Sequence, residues 1–494
     1  MSRSSGSYDY IVVGSGSAGS VLSYRLGRAG HSVAVIEAGD RGDAELVADP
    51  LAYGRFRRTR HDWNYDSLPQ AETDGRTHVF PRGKLWGGSS SVNGMVYIRG
   101  ARTDFDAWAR AAGEQWGWDR AVRAFEELEA EPGQLAATLP GPERTLWHEA
   151  FLAACARHGL AARGTFDDGV LDGAGWTRLT MRSGRRRGAH EAFLLPALAT
   201  SQVDMNDECT ALRVLFDGDR AFGVECRRGR ETVRLTAERE VIVCCGALNS
   251  PQLLLRSGIG APDELSLLGI PAVSAVPGVG RNLSDHLVTG AVFTADEGVP
   301  AGPTAVAAFA RSGGQVSGSD LQLWLNRRRH SAEHDAGDSS FTILCALVRP
   351  ASRGTVRLAP GGGHARPVID TGYLTDKADL DALVQGVRLA RELGRVESFS
   401  SVRPVEAQPG GSLVSDDELA GFVRRSVTGQ HHPMGTCRMG SDDESVVDPC
   451  LRVRGVHGLR VADASVFPFP VGTGPDASTQ MVAWRAADLI LSGD

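Results

Sequence analysis

The chain has 494 residues, 42% of them hydrophobic and 23% charged, with a formal net charge of −7. That length is long for one core and predicts two or three lobes, and the composition is that of a folded globular protein. The acidic balance gives no reason to expect nucleic acid or an anionic membrane as a partner. No apolar run approaches the ~20 residues that a membrane-spanning helix needs. The polar first residues lead directly into a strand, without the apolar stretch of a secretion signal. Cysteines form no CxxC pair, which predicts a reducing, cytoplasmic setting and no disulfide framework; no metal is expected, since the side chains of the adjacent His431 and His432 diverge and no third ligand is spaced nearby. Two arginine runs, Arg185–Arg187 and Arg327–Arg329, read as solvated loops.

Tyr10-Ile11-Val12-Val13 is a short apolar strand that enters Gly14-Ser15-Gly16-Ser17-Ala18-Gly19. Val33-Ala34-Val35-Ile36 is a second strand, closed by Glu37 and Ala38. This is the strand–turn–helix–strand–acid order of a dinucleotide site. Gly14 permits the tight turn, Gly16 the approach of backbone to a pyrophosphate, and Gly19 close packing of helix on strand. The helix N-terminus offers unpaired N–H groups and partial positive charge to phosphate. Glu37 is placed to accept from the adenosine ribose hydroxyls, which argues against a 2′-phosphate.

Further along, residues 40–76 read as loop, and Trp108 to Leu128 as a helix with its N-cap near Trp118-Asp119. Glu131 to Pro142 is a break, and Leu146 to His158 is helical. Leu212, Val214 and Phe216 alternate up to a turn at Asp217-Gly218-Asp219, with Phe222 and Val224 beyond it, which predicts a hairpin. Val241-Ile242-Val243 is a buried strand. A helix is expected to begin at Pro251. Residues 291–330 carry little pattern. Phe341–Val348, Thr355–Leu358 and Val368–Tyr373 read as strands, and Asp376–Leu393 and Asp416–Val427 as amphipathic helices. Leu459-Arg460-Val461-Ala462-Asp463 is a last strand before a terminal helix at Ser478–Leu491. The fold class is α/β: a Rossmann-like nucleotide domain made of residues 1–150, 200–290 and 430–494, with a mixed α+β lobe of residues 151–199 and 291–429 inserted.

Several segments together resemble the glucose–methanol–choline (GMC) oxidoreductase family. They are Gly83 to Asp106, centred on Gly87-Gly88-Ser89-Ser90-Ser91-Val92-Asn93; Gly246 to Gly260; Gly278 to His286; Ser352-Arg353-Gly354-Thr355-Val356; His432-Pro433-Met434-Gly435-Thr436-Cys437-Arg438-Met439-Gly440; and Leu459 to Ser465. They span nearly the whole chain in family order. The resemblance implies bound FAD and oxidation of an alcohol by hydride transfer to flavin N5, with electrons passing on to oxygen or another acceptor. It implies that Gly14, Gly16, Ser17, Ala18, Gly19, Glu37 and Ala38 hold the ADP half. Ser89, Asn93, Gly94 and Met95 then line the isoalloxazine, Asp463 and Ala464 hold the ribityl–pyrophosphate, and the backbone of Ala211 meets the adenine. Trp63, Arg82, Gly88, Val96 and Thr479 are further expected cofactor contacts. Val92 stands where some members attach FAD through histidine, so non-covalent FAD is expected.

His432 is the expected catalytic base, because alcohol oxidation needs the hydroxyl proton removed and imidazole titrates near neutral pH. His431 beside it is expected to line the substrate pocket. Relatives carry a second histidine or asparagine in a later segment, which here reads Gly474-Pro475-Asp476-Ala477-Ser478-Thr479. Asp476 is expected in that place, as a working member of the pair, as a device for cationic substrates, or as the mark of altered chemistry. A short insert between Pro300 and Ala308 predicts an open pocket and a medium or bulky alcohol. The alternative is a lyase or other non-oxidative enzyme on the same fold.

Overall fold

The structure is a computed structural model that describes residues 6–131, 135, 137–141, 144–296, 302–313, 318–326, 340–360 and 366–493. Its first half is organised by β1 (Ser7–Val13), α1 (Ser17–Arg28) and β2 (Val33–Ile36), followed by β3 (Val203–Asn206). Later come β4 (Glu231–Val243), α2 (Gly246–Arg256), β5 (Leu459–Val461) and α3 (Asp476–Ser492). The five strands pair in parallel in the order β3-β2-β1-β4-β5. Ile11, Val12, Val35 and Ile242 are fully buried, as a sheet covered on both faces requires. Each such side chain contributes roughly 1.5–3 kcal/mol.

The order reverses between β1 and β4, so their C-terminal ends diverge and leave a crevice. The turn there is fixed by Gly14 at φ 99°; a β-carbon on it would lie 2.4 Å from the Cys244 carbonyl oxygen. The strand β4 also continues a hairpin made by Cys209–Asp217 and Arg220–Arg228.

A second, eight-stranded sheet faces this crevice. Its order runs Val405–Gln408, Leu287–Thr294, Ser340–Leu347, Leu321–Asn326, Val306–Ala310, Gly173–Trp176 and Ala162–Arg163, with Thr428–Gly429 also pairing Leu287–Thr294. All these pairs are antiparallel except the last along the path, Ala162–Arg163 on Gly173–Trp176. The helix Lys377–Gly394, capped by the Asp376 carboxylate, packs across the sheet. No helix among the described residues is long and apolar enough to cross a membrane.

Four local expectations need correction. Trp108–Leu128 is two helices, Arg102–Ala112 and Trp118–Ala130; Gly113 at φ 92° ends the first, and Gly117 caps the second. Helix α2 begins at Gly246, with Pro251 inside its body. Residues 291–330 contain strands whose near-continuous burial on both faces erased the period-two signal. Arg186 is not solvated: it is 2% exposed, and its guanidinium bonds the Val47 carbonyl at 3.0 Å and Asn93 Oδ1 at 2.8 Å. The run Arg327–Arg329 lies outside the described residues, as do parts of the 131–142 break and of the 300–308 insert.

Candidate active site

The crevice between the two sheets opens into a cavity of about 630 Å³. Gly14, Gly16, Ser17, Ala18, Glu37 and Ala38 line one end, with Ala211 beside Cys209 and Thr210. Trp63, Arg82, Gly88, Ser89, Asn93, Gly94, Met95 and Val96 line it further along, with Asp463, Ala464, Asp476, Thr479, His431 and His432. Every residue singled out from the sequence borders this cavity except Gly19. That glycine lies beneath it: a β-carbon there would sit 1.8 Å from the Gly14 carbonyl oxygen, so its role is to let α1 lie against β1.

The residues present fit a dinucleotide. A β-carbon on Gly16 would meet nothing within 4 Å, so bare backbone faces open space at the N-terminus of α1. Glu37 accepts from the Ser15 N–H at 3.0 Å, the Ser15 hydroxyl at 2.8 Å and the Gly39 N–H at 3.0 Å. Burial raises its pKa against the pull of those bonds. Asp463 is held alike, by the Gly246 N–H at 2.8 Å, the Ser250 hydroxyl at 2.5 Å and the Ser465 N–H at 2.8 Å. Asn93 Oδ1 accepts from Arg186 and from the Met95 N–H, so its own two N–H donors remain for a ligand.

The histidines meet because two distant strands pair. Gly429 stands opposite Leu287, and Ser284 and Met434 exchange backbone hydrogen bonds. This register sets His432 against His286, with Nδ1 to Nδ1 at 3.0 Å and the rings at 86° to each other. The other nitrogen of His286 is 2.9 Å from the Val471 carbonyl oxygen. A carbonyl only accepts, so His286 Nε2 carries the hydrogen. Burial lowers the pKa of His286 to about 4, and its neutral ring therefore has a bare Nδ1. It follows that His432 donates from Nδ1 and keeps a lone pair on Nε2. Burial holds the pKa of His432 well below its usual value, and the nearby Arg82 charge acts in the same direction. The His432 backbone N–H donates to Asp285 Oδ1 at 2.7 Å, and the Tyr373 hydroxyl to Asp285 Oδ2 at 2.6 Å.

His431 stands at φ 64°, with its Nε2 3.1 Å from an Arg57 guanidinium nitrogen, and its carbonyl accepts from Arg82 at 2.6 Å. Asp476 does not pair with His432. Its Oδ1 accepts from the Ser17 hydroxyl at 2.5 Å and its Oδ2 from Gln480 Nε2 at 2.9 Å. The residue beside the reactive edge of His432 is Gly474. Neither His286 nor Gly474 was singled out from the sequence. The first ends the Gly278–His286 segment; the second is two residues before the carboxylate that drew attention instead.

A GMC oxidoreductase N-terminal model matches residues 8–288 and a GMC oxidoreductase C-terminal model residues 350–483. The chain is 35% identical to an alcohol dehydrogenase (acceptor) of Pseudomonas putida, covering 98% of this chain and 96% of that one. It is likewise 35% identical to an oxygen-dependent choline dehydrogenase of Brucella ovis, over 98% and 95%. The crystal structure of pyridoxine 4-oxidase from Mesorbium loti superimposes with a TM-score of 0.92 at 31% identity, over 97% and 98% of the two chains. The chain belongs to the GMC oxidoreductases, FAD-dependent enzymes that act on the CH–OH group of donors.

Proposed function

We propose that this enzyme oxidises a medium-sized or bulky alcohol to its carbonyl compound, with His432 Nε2 as the base. The observation that carries the reading is the chain His432–His286–Val471, whose hydrogen bonds leave a bare imidazole nitrogen on the cavity side. FAD, when bound, supplies the hydride acceptor. Val92 offers no nucleophile for a covalent link, which supports non-covalent binding. Gly16, Glu37 and Asp463 would hold the nucleotide portion, and the Asn93 N–H donors would be available to the ring portion.

His432 takes the hydroxyl proton as hydride leaves the carbinol carbon, so the carbonyl product forms with one proton on the protein and two electrons on the acceptor. A base held neutral by burial is available without prior deprotonation. The Asp285 carboxylate, anchored by Tyr373, fixes the backbone of His432. The cavity runs on past Gln430 to Gln322 and Trp324 of the second sheet, which supports a substrate larger than methanol or ethanol. Mixing the anaerobic enzyme with a panel of alcohols tests this. The expected result is bleaching of the flavin band in step with carbonyl product. Product formed while the flavin stays oxidised would instead indicate the lyase-type chemistry considered from the sequence.

A further inference from the structure

Gly474 is a glycine that the backbone does not require. Its φ lies outside the left-handed region, whereas Gly14 has a φ of 99°. Its neighbours do not require it either. A β-carbon on Gly429 would lie 2.2 Å from the Tyr373 hydroxyl, and one on Gly19 1.8 Å from a carbonyl oxygen, so both positions exclude side chains. A β-carbon on Gly474 would lie 3.6 Å from His432 Cε1 and 3.7 Å from Nε2, which is ordinary contact, and within 4 Å of nothing else among the described residues. The space is therefore empty by choice of residue, and it adjoins the nitrogen that carries the lone pair. The polar side chains flanking it point elsewhere: the Thr473 hydroxyl donates to the Ile98 carbonyl at 3.4 Å, and Asp476 is held by Ser17 and Gln480.

We infer that Gly474 leaves a notch at the reacting nitrogen that accepts the second substituent of the carbinol carbon, so that the enzyme takes secondary alcohols or primary alcohols branched next to the carbinol. This rests on the reading of His432 Nε2 as the base. A hydroxyl hydrogen-bonded to Nε2 stands about 2.8 Å away. Its carbon then lies in the same shell around the ring as a β-carbon at 474, and a side chain at 474 and a substituent on that carbon compete for one volume.

The test is Gly474→Ala, with Gly474→Ser beside it, assayed by anaerobic flavin reduction with a secondary alcohol and its unbranched primary isomer. Both variants are expected to bind FAD at wild-type stoichiometry, because the added atom meets no backbone. Their preference for the secondary over the primary alcohol is expected to fall by roughly tenfold or more, the scale of one methyl group in a fitted pocket. An unchanged preference in both variants, or a wild-type enzyme reduced only by unbranched primary alcohols, overturns the inference. Failure of the underlying reading looks different: His432→Ala would then reduce at the wild-type rate with both alcohols.

Discussion

In the proposed reaction His286 acts through His432, whose tautomer its bare Nδ1 fixes. Replacing it by leucine removes the acceptor for His432 Nδ1–H and frees the ring to place its hydrogen on either nitrogen. Flavin reduction in His286→Leu is expected to slow by roughly 10- to 100-fold, a fraction of what positioned proton transfer contributes. His286→Asn, which restores an acceptor near the lost nitrogen, is expected to recover part of the rate; a structural role alone would not produce that ordering. The pH dependence follows from the same pair. His432 must be neutral to accept a proton, and its pKa is depressed, first by burial. The neutral form therefore persists as pH falls below 6.5, the ordinary value, and activity is lost only as pH drops through the depressed value. The acid limb of kcat/KM for reduction is expected below pH 6.5; a limb above it would contradict the assignment.

Asp476 gives the complementary case. Burial raises its pKa, against the pull of Ser17, Gln480 and Arg186, and its hydrogen-bond partners are Ser17 and Gln480, with no bond to His432. Asp476→Asn is expected to leave the pH profile of flavin reduction in place. The Gln480 side chain can turn to offer its oxygen, which has no partner among the described residues, to the new amide. A displaced profile would return Asp476 to the catalytic pair that the sequence suggested.

At the level of elements, the β1–α1 turn separates two kinds of glycine. Gly16→Ala is expected to fold, since nothing lies within 4 Å of the new carbon, and to weaken FAD binding, measured as flavin release on dilution. Gly19→Ala drives a carbon into the Gly14 carbonyl oxygen at 1.8 Å and is expected to lower Tm and yield apoprotein. Equal behaviour of the two variants would refute the division of roles. This turn was legible in the sequence because a local motif contains its whole geometry. The hairpin after Cys209 was legible for the same reason: its alternation and its turn lie within one stretch of chain. The His286–His432 contact was not legible, since it depends on Gly429 pairing with Leu287 across more than a hundred residues. The position of Gly474 was missed because a side chain draws notice and an absence of one does not.

On the scale of the whole molecule, the enzyme is a parallel nucleotide sheet and a larger antiparallel sheet meeting over one cavity. The first supplies the Gly14–Gly19 turn, Glu37 and the helix that begins at Asp476. The second sends Leu287–Thr294 and Thr428–Gly429 into register, and that register brings His286 and His432 together at the crevice. The alternation of the nucleotide strands with helices was readable from their apolar runs, whereas the second sheet was read only in part. Its central strands are buried on both faces and lose the alternation that marks a half-exposed strand.

In the proposed reaction everything turns on the bare nitrogen of His432 removing the substrate proton. The most direct measurement is anaerobic stopped-flow reduction of wild-type and His432→Ala holoenzyme by the same alcohol, followed at the flavin band. The variant is expected to remain yellow with bound FAD and to be reduced roughly 10²- to 10⁴-fold more slowly, the contribution of a positioned base. Reduction of the variant at the wild-type rate would contradict this role of His432.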